Sequence, residues 1–469
     1  MQRKVDIKIP DHWVQVRVDQ ISEIIRGVSY KKEVSSDTLL ENHLPILRAT
    51  NIQEDKLILD SDLVFIPEKI IKPDQLLKVG DIVVCISSGS KNLVGKAAQL
   101  NNDWIGSFGT FCATIRFKPQ VNKKFGGFFF KSPIYREKIK EKSSGININN
   151  IRTGHLGEIS FPLPPFPEQE RIVSKIEELF TQLDAAEAAL KRAKNNLKRY
   201  QQSLLQAAVT GELTREWREA HKDELEPASK LLEKIKAERR AKWEAEIRAK
   251  GKDPAKEKYQ ESKSPDVSDL PELPEGWCWV SISQVADHRL GKMLDKDKNQ
   301  GQLIPYLRNA NVQWFNFDLS DLKTIKVKKE ELENVSIIKG DLIICEGGEP
   351  GRSAVWNYDY QIVIQKALHR VRFHEKILPE YVNYHLANDT QTGLLERHFT
   401  GSTIKHFTGE SLSKYILALP SFDEQLKILE LVENNYSKVQ QLIQLCNNTL
   451  IKIQNTRKSI LKKAFLGFL

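Results

Sequence analysis

No two of the five cysteines, Cys85, Cys112, Cys278, Cys345 and Cys446, are spaced as a CxxC pair, so neither a zinc site nor a disulfide framework is expected and the thiols read as buried. No apolar run approaches the roughly 20 residues of a membrane-spanning helix. The segment 1–10 lacks the apolar stretch and cleavage site of a secretory leader, so a cytoplasmic protein is expected. A phosphate-cradling G-x-x-x-x-G-K-[ST] loop is missing too: Glu346-Gly-Gly-Glu-Pro-Gly351 has no lysine to reach a phosphate and reads as a turn. The histidines show no H-E-x-x-H and no ligand spacing, so no metal is expected. Pro73-Asp74 could open a nuclease carboxylate cluster, but no Glu-x-Lys follows at a useful distance, and it reads as background. Leu163-Pro-Pro-Phe166 has the outline of the [DNS]-P-P-[YFW] tetrapeptide of adenine methyltransferases, but leucine stands where the target amine needs a polar acceptor, and no glycine-rich strand-turn for a methyl donor is found. No catalytic residue is therefore expected.

What the chain does have is length, charge and self-similarity. Its 469 residues suggest about three structural units. With 40% hydrophobic and 28% charged residues, it reads as a soluble globular protein with extra solvated helix. The net charge of +9 is uneven: residues 1–167 carry 24 basic and 18 acidic side chains (+6), 168–211 are at +1, 212–270 are balanced at 15 of each, 271–423 are at −2, and 424–469 are at +4. Any nucleic-acid surface in 271–423 must be a local patch.

The sequence is two copies of one design. Pro10 and Trp13 return as Pro274 and Trp277. Pro45, Leu47, Arg48 and Asn51 return as Pro305, Leu307, Arg308 and Asn311; Gly80, Asp81 and Cys85 as Gly340, Asp341 and Cys345. From Phe117 and Phe373 onward the offset settles at 256, through Gly145 and Gly401, Glu168 and Glu424, Gln169 and Gln425, to Gly211 and Gly467. Each copy opens with short β-type runs bounded by glycine and serine, which predicts a mixed α/β domain. Each then reaches a proline joint, Pro162–Pro167 or Leu419–Asp423, and enters a helix with acids in its first turn.

In the first helix Ile172, Ile176, Leu179, Leu183, Ala186, Leu190, Ala193, Leu197, Tyr200, Leu204 and Ala207 alternate in steps of four and three, a coiled-coil seam. The second repeats it through Val432, Tyr436, Val439, Ile443, Cys446, Leu450, Ile453, Ile460 and Ala464, with Arg457 out of phase. Antiparallel pairing of the two is expected; packing of each helix on its own domain alone is the alternative. At ~1.5 Å per residue the stretch from Ile172 to Ala207 spans about 50 Å. Residues 212–270 read as a solvated charged helix and a linker.

The loops suited to DNA are Gly27–Lys32, Ser87–Asn92 and Ser143–Asn150, with Arg352, Ser402, Thr403 and Lys405 in comparable places of the second copy. Tyr30, Lys31, Lys32, Ser88, Gly89, Lys91, Asn147, Asn149 and Asn150 supply small residues for close approach, hydroxyls and lysines for phosphates, and asparagines able to pair with adenine. His398 and His406 lie close by in sequence and could touch phosphate. For each residue singly, an exposed turn is the competing reading. Arg48, Asn51, Arg308 and Asn311 survive in both copies and read as framework; the residues that differ are expected to carry base readout.

The whole chain resembles the specificity subunits of type I restriction-modification enzymes. The resemblance rests on the Pro-Pro-Phe-x-Glu-Gln-x-x-Ile joint at Pro164 to Ile172, degenerate at Pro420 to Ile428 with Ser421 for the second proline, on Ala208 to Leu213, and on Leu273 to Trp277. It implies an α+β fold: target recognition domains at 1–167 and 271–423, helices at 168–211 and 424–469 forming an antiparallel two-helix coiled coil, and a pseudo-two-fold repeat. It further implies that each domain reads half of a bipartite, asymmetric site on double-stranded DNA. The partners would be two methylation subunits and restriction subunits, with S-adenosylmethionine, ATP and Mg bound there and no cofactor on this chain. A self-sufficient enzyme, and a pseudo-dimeric repressor or structural coiled-coil protein, are the other readings.

Overall fold

The computed structural model describes residues 9–53, 56–88, 93–143, 150–295 and 299–469. The chain divides into two compact units, 1–192 with 446–469, and 193–445. Both long helices are therefore split between units: Phe166–Val209 and Phe422–Ala464 each contribute one end to each unit.

In the first unit, strand Val14–Arg17 pairs antiparallel with Ser160–Leu163 and ties the start of the repeat to the joint that precedes the long helix. A four-stranded antiparallel sheet follows in the order Ser22–Arg26, Cys112–Phe117, Ile82–Cys85, Ala97–Gln99. Its central strands are buried on both faces, as expected for runs such as Ile82-Val-Val-Cys85 with no polar alternation. A three-stranded sheet places His43–Leu47 between Val64–Pro67 and Ser107–Phe108. The core is aromatic. Phe129 meets Phe161 at 4.6 Å between ring centroids, and Phe465, from the end of the second long helix, meets Phe125 at 4.9 Å.

The second unit repeats this order: Cys278–Ser281 with Ile416–Leu419, and a four-stranded sheet Ala286–Leu290, Leu368–Phe373, Leu342–Cys345, Ser353–Val355. Its core includes Leu204, Leu205, Ala208 and Val209 from the end of the first long helix, together with Trp277, Tyr381, Ile428 and Val432.

The helices run antiparallel within each unit. In the first, Ile172, Val173 and Ile176 share a core with Ile460, Leu461 and Ala464, while Arg457 bonds Asp184 at 2.6 Å and Glu187 at 3.0 Å. In the second, Leu204 and Leu205 share a core with Ile428 and Val432, and Tyr200 donates to Asn435. Of the seam residues, Ile172, Ile176, Leu204, Val432, Val439, Cys446, Ile453 and Ile460 are buried; Leu179, Leu183, Leu190, Leu197 and Ile443 are half-buried. Ala186, Ala193 and Tyr200, expected in the seam, are exposed. In its middle the first helix keeps only Leu183, Leu190 and Leu197 at the seam, whereas the second keeps both positions, with Val439, Cys446 and Ile453 buried and Ile443 and Leu450 half-buried. Arg457, out of phase with the seam, spans to the other helix as an ion pair and lies 5.5 Å over the ring of Phe180.

The segment 212–270 departs from the expectation of a solvated helix. Helix Ala228–Ala249 buries Ala228, Leu231 and Ile235 in the second unit's core, and Arg239 donates to the carbonyls of Ser283 and Gln284 at 2.7 and 3.4 Å. The spacing of three and four residues between these apolar positions gives one buried stripe inside an otherwise charged sequence.

Candidate nucleic-acid interface

Two conserved-in-both-copies devices set the loops. The first is a side-chain-locked turn: Asn51 Oδ1 accepts from the Arg48 amide at 2.8 Å while its Nδ2 donates to the carbonyls of Ile58 and Ser61 at 3.1 and 2.9 Å. Asn311 does the same with the Arg308 amide at 2.9 Å and the Asp318 carbonyl at 2.9 Å. Arg48 and Arg308 each turn back onto an aspartate, Asp62 or Asp321. The second is a buried carboxylate, Asp81 or Asp341, held by two nitrogens of Arg116 or Arg372 and by a backbone amide. Burying a carboxylate is costly unless donors such as these satisfy its oxygens.

On this scaffold the loops after Ile86 and before Ile151 are brought together. The Ile151 amide donates to the Ile86 carbonyl at 2.7 Å, Ser87 bridges to Asn150, and the amides of Ile86 and Ser87 both reach the Phe111 carbonyl at 2.9 and 3.2 Å. Arg48, Ala49, Thr50, Ser87, Ser88 and Phe111 line a cavity of about 300 Å³ here. Phe111 is 60% exposed at its rim. The second unit repeats the clasp, Phe407 amide to Glu346 carbonyl at 2.7 Å and Glu346 amide to Ala367 carbonyl at 2.9 Å. Its chemistry differs: Ala367 replaces Phe111, and Asn309, in the place of Ala49, donates to the Gly347 carbonyl at 2.6 Å.

The residues proposed for DNA contact fall into three groups. Lys31 and Lys32 are exposed, Tyr30 is half-buried with burial pushing its phenol above the ordinary value against the opposing pull of Arg48, and Ser88 and Asn150 flank the cavity and the clasp. Gly89, Lys91, Asn147 and Asn149 lie outside the described residues. In the second copy Ser402 and Thr403 are exposed in the turn closed by Thr400 and His406, and Lys405 pairs with Glu396 at 2.8 Å. Arg352 is instead spent inside the fold: it is only 13% exposed, donates to the Asn309 carbonyl at 2.9 Å and pairs with Glu349 at 2.8 Å. His398 is half-buried against Tyr415, with ring centroids 5.5 Å apart, whereas His406 sits against Gly347. Sequence reasoning overlooked Phe111, although the contrast with Ala367 was available as a signal of divergence between copies.

Among the described residues no group of three or more His, Cys, Asp or Glu is arranged to hold a metal ion, and no helix is long and apolar enough to cross a membrane.

The family model described as "Type I restriction modification DNA specificity domain" matches residues 10–196 and 274–453. The chain is 30% identical over 467 residues to the Type I restriction enzyme EcoKI specificity subunit of Escherichia coli (strain K12), covering 98% of this chain and 90% of that protein. It is 28% identical over 471 residues to the StySPI specificity subunit of Salmonella potsdam, with the same coverage of each. In fold it is similar to a chain from a structural study of assembly and conformational transition of the type I R-M system, at a TM-score of 0.68 and 17% identity over 98% of this chain and 100% of that one. It is also similar to the HsdS subunit from Thermoanaerobacter tengcongensis, at a TM-score of 0.56 and 17% identity over 99% of each. With both repeats matched and a relative at this identity over nearly its whole length, the chain belongs to the type I restriction-modification DNA specificity family.

Proposed function

We propose that this chain is the DNA-recognition subunit of a type I restriction-modification complex, a non-catalytic cytoplasmic protein that reads a bipartite, asymmetric site in double-stranded DNA. The observation that carries this reading is the pairing of one scaffold, with the same four-stranded sheet order and the same strand tie before the long helix in both units, with loop chemistry that differs between them: Phe111 and Ala49 in one, Ala367 and Asn309 in the other. A shared scaffold with divergent loops supports two different half-sites. Tyr30, Lys31, Lys32, Ser88, Asn150 and Phe111 serve the first; Ser402, Thr403 and Lys405 serve the second. Two methylation subunits, with restriction subunits beyond them, are the partners, and S-adenosylmethionine, ATP and Mg belong to those partners.

The test is to express the chain with the methylation subunit of the same system and map methylated adenines across the host genome. A two-part motif with a constant gap is the expected result. Methylation by the purified chain alone, or a pattern without a gapped motif, overturns the reading.

A further inference from the structure

The second unit contains a cavity of about 340 Å³ between helix Pro379–Gln391, helix Phe422–Ala464 and the hairpin turn at Phe315. Three rings line it. Phe315 lies 5.8 Å from Tyr384 and 5.5 Å from Tyr436, centroid to centroid. Two carboxylates, Glu380 and Glu433, share the wall, and neither has an ion-pair partner among the described residues. Burial, and then the charge of Glu433, push the Glu380 carboxyl above its ordinary value. Phe315 holds its place at a φ of 64°, in the left-handed region that a bulky residue seldom adopts, with its amide bonded to the Ser353 carbonyl at 3.1 Å.

The first unit shows what the same positions do when a cation is supplied from within. At the repeat offset of 256, Glu433 corresponds to Glu177, Glu380 to Lys124, Tyr384 to Phe128 and Tyr436 to Phe180. There Lys124 pairs with Glu177 at 2.6 Å, and the Arg457 guanidinium lies 5.5 Å over Phe180. In the second unit both cations are gone: Lys124 is replaced by a second acid, and Arg457 by Gln201, whose side-chain nitrogen is buried with no partner among the described residues. The rings and the acid remain, and a second acid is added.

We propose that this cavity is a binding site for a guanidinium group, presented as an arginine side chain by a protein partner. A planar cation over aromatic faces, with carboxylates at its edge, matches the three rings and the two carboxylates of the lining. The guanidinium is favoured because Arg457 already occupies the corresponding ring in the first unit. That the arginine comes from a partner subunit rests on the function proposed above; the site itself does not.

The experiment labels the full chain with 3-fluorotyrosine and follows the fluorine resonances of Tyr384 and Tyr436, assigned with Tyr384→Phe and Tyr436→Phe. N-acetylarginine amide is titrated in, with N-acetylcitrulline amide as the uncharged isostere. Saturable shifts of both tyrosines with the arginine compound alone are expected. Glu380→Lys, which restores the residue of the first unit, and the milder Glu380→Gln should weaken the response, the former by about tenfold or more. Equal shifts with the citrulline compound, or an unchanged response in folded Glu380→Gln, overturn the site. Repeating the titration on the chain assembled with its methylation subunit tests the source: shifts absent there support a partner's arginine, and shifts of the same size overturn that half, leaving a free guanidino compound as occupant.

Discussion

The indole nitrogen of Trp277 lies 2.8 Å from the carboxylate of Glu424, whose side chain is 1% exposed. Thr214 and Arg218 bond the other oxygen, each at 2.7 Å. In the first unit Trp13 and His12 meet Glu168 at 3.1 and 2.9 Å, with no arginine. Glu424→Ala removes the only carboxylate among the described residues on the Arg218 guanidinium, which keeps just the Gly211 carbonyl at 3.0 Å, and strips the indole of its acceptor, so it should destabilise the second unit by about 3 kcal/mol. Glu168→Ala should cost nearer 1 kcal/mol in the first. Urea titrations of the two variants against the parent chain read the difference.

The glycines that end the long helices have a stricter role than stopping a helix. Gly211 and Gly467 both sit at φ 77°, and a β-carbon on them would come within 2.7 Å of Pro274 and 2.2 Å of Pro10 respectively. Alanine at either position meets both the left-handed penalty and a clash with a rigid ring, so a loss of about 1–3 kcal/mol is expected. Thermal melts of Gly211→Ala and Gly467→Ala should each fall below the parent, while Gly251→Ala, also at positive φ but open around its β-carbon, should fall least.

His369 gives the second unit a buried histidine at a position where the first has Ala113. Burial lowers its pKa to about 4, reinforced by His288 and opposed by the Phe407 carbonyl. Its Nε2 lies 2.8 Å from that carbonyl, and Nδ1 is buried without a partner, so a second proton would have nowhere to bond. The unfolded chain takes up the proton near pH 6.5 and the folded unit resists until about 4. Stability is therefore complete above pH 6.5 and is lost as pH falls from there toward 4, by about 3 kcal/mol. His369→Gln keeps a donor for Phe407 and should flatten that slope in urea titrations across the window.

On DNA, the exposed lysines and the buried arginine should separate cleanly. Lys31→Ala with Lys32→Ala should lower the slope of log affinity against log salt by about two, if each neutralises one phosphate. Arg352→Ala should leave that slope unchanged and lower the stability of the second unit by about 1–3 kcal/mol, because the Asn309 carbonyl loses its donor. Binding isotherms at several salt concentrations, paired with urea titrations, check both.

The repeat, the strand-rich domains and the two long helices were legible in the sequence because Trp13 and Trp277, Asp81 and Asp341, and Gln169 and Gln425 keep step along the chain. Their jobs were not. Gln169 bonds the Asn122 amide and the carbonyls of Gln120 and Pro164; Gln425 bonds the Leu378 amide and the carbonyls of Lys376 and Pro420. These partners lie mostly 47 to 49 residues away, beyond any local pattern. Arg352 looked like a free cation for the same reason, since nothing in Gly351-Arg352-Ser353 announces the Asn309 carbonyl. Ala186 and Ala193 fit a heptad by spacing, yet small side chains at those positions bring too little surface to close the seam.

The placement of Phe465 in the first unit's core has a consequence for how the protein is made. That unit's two pieces, ending at Arg192 and resuming at Cys446, are separated by 253 residues of the second. At ~5–20 residues per second a ribosome spends roughly ten to fifty seconds between them. Through that interval Phe125 and Phe129 lack the ring of Phe465 that packs on them, so the first unit completes its core only after the second has been synthesised.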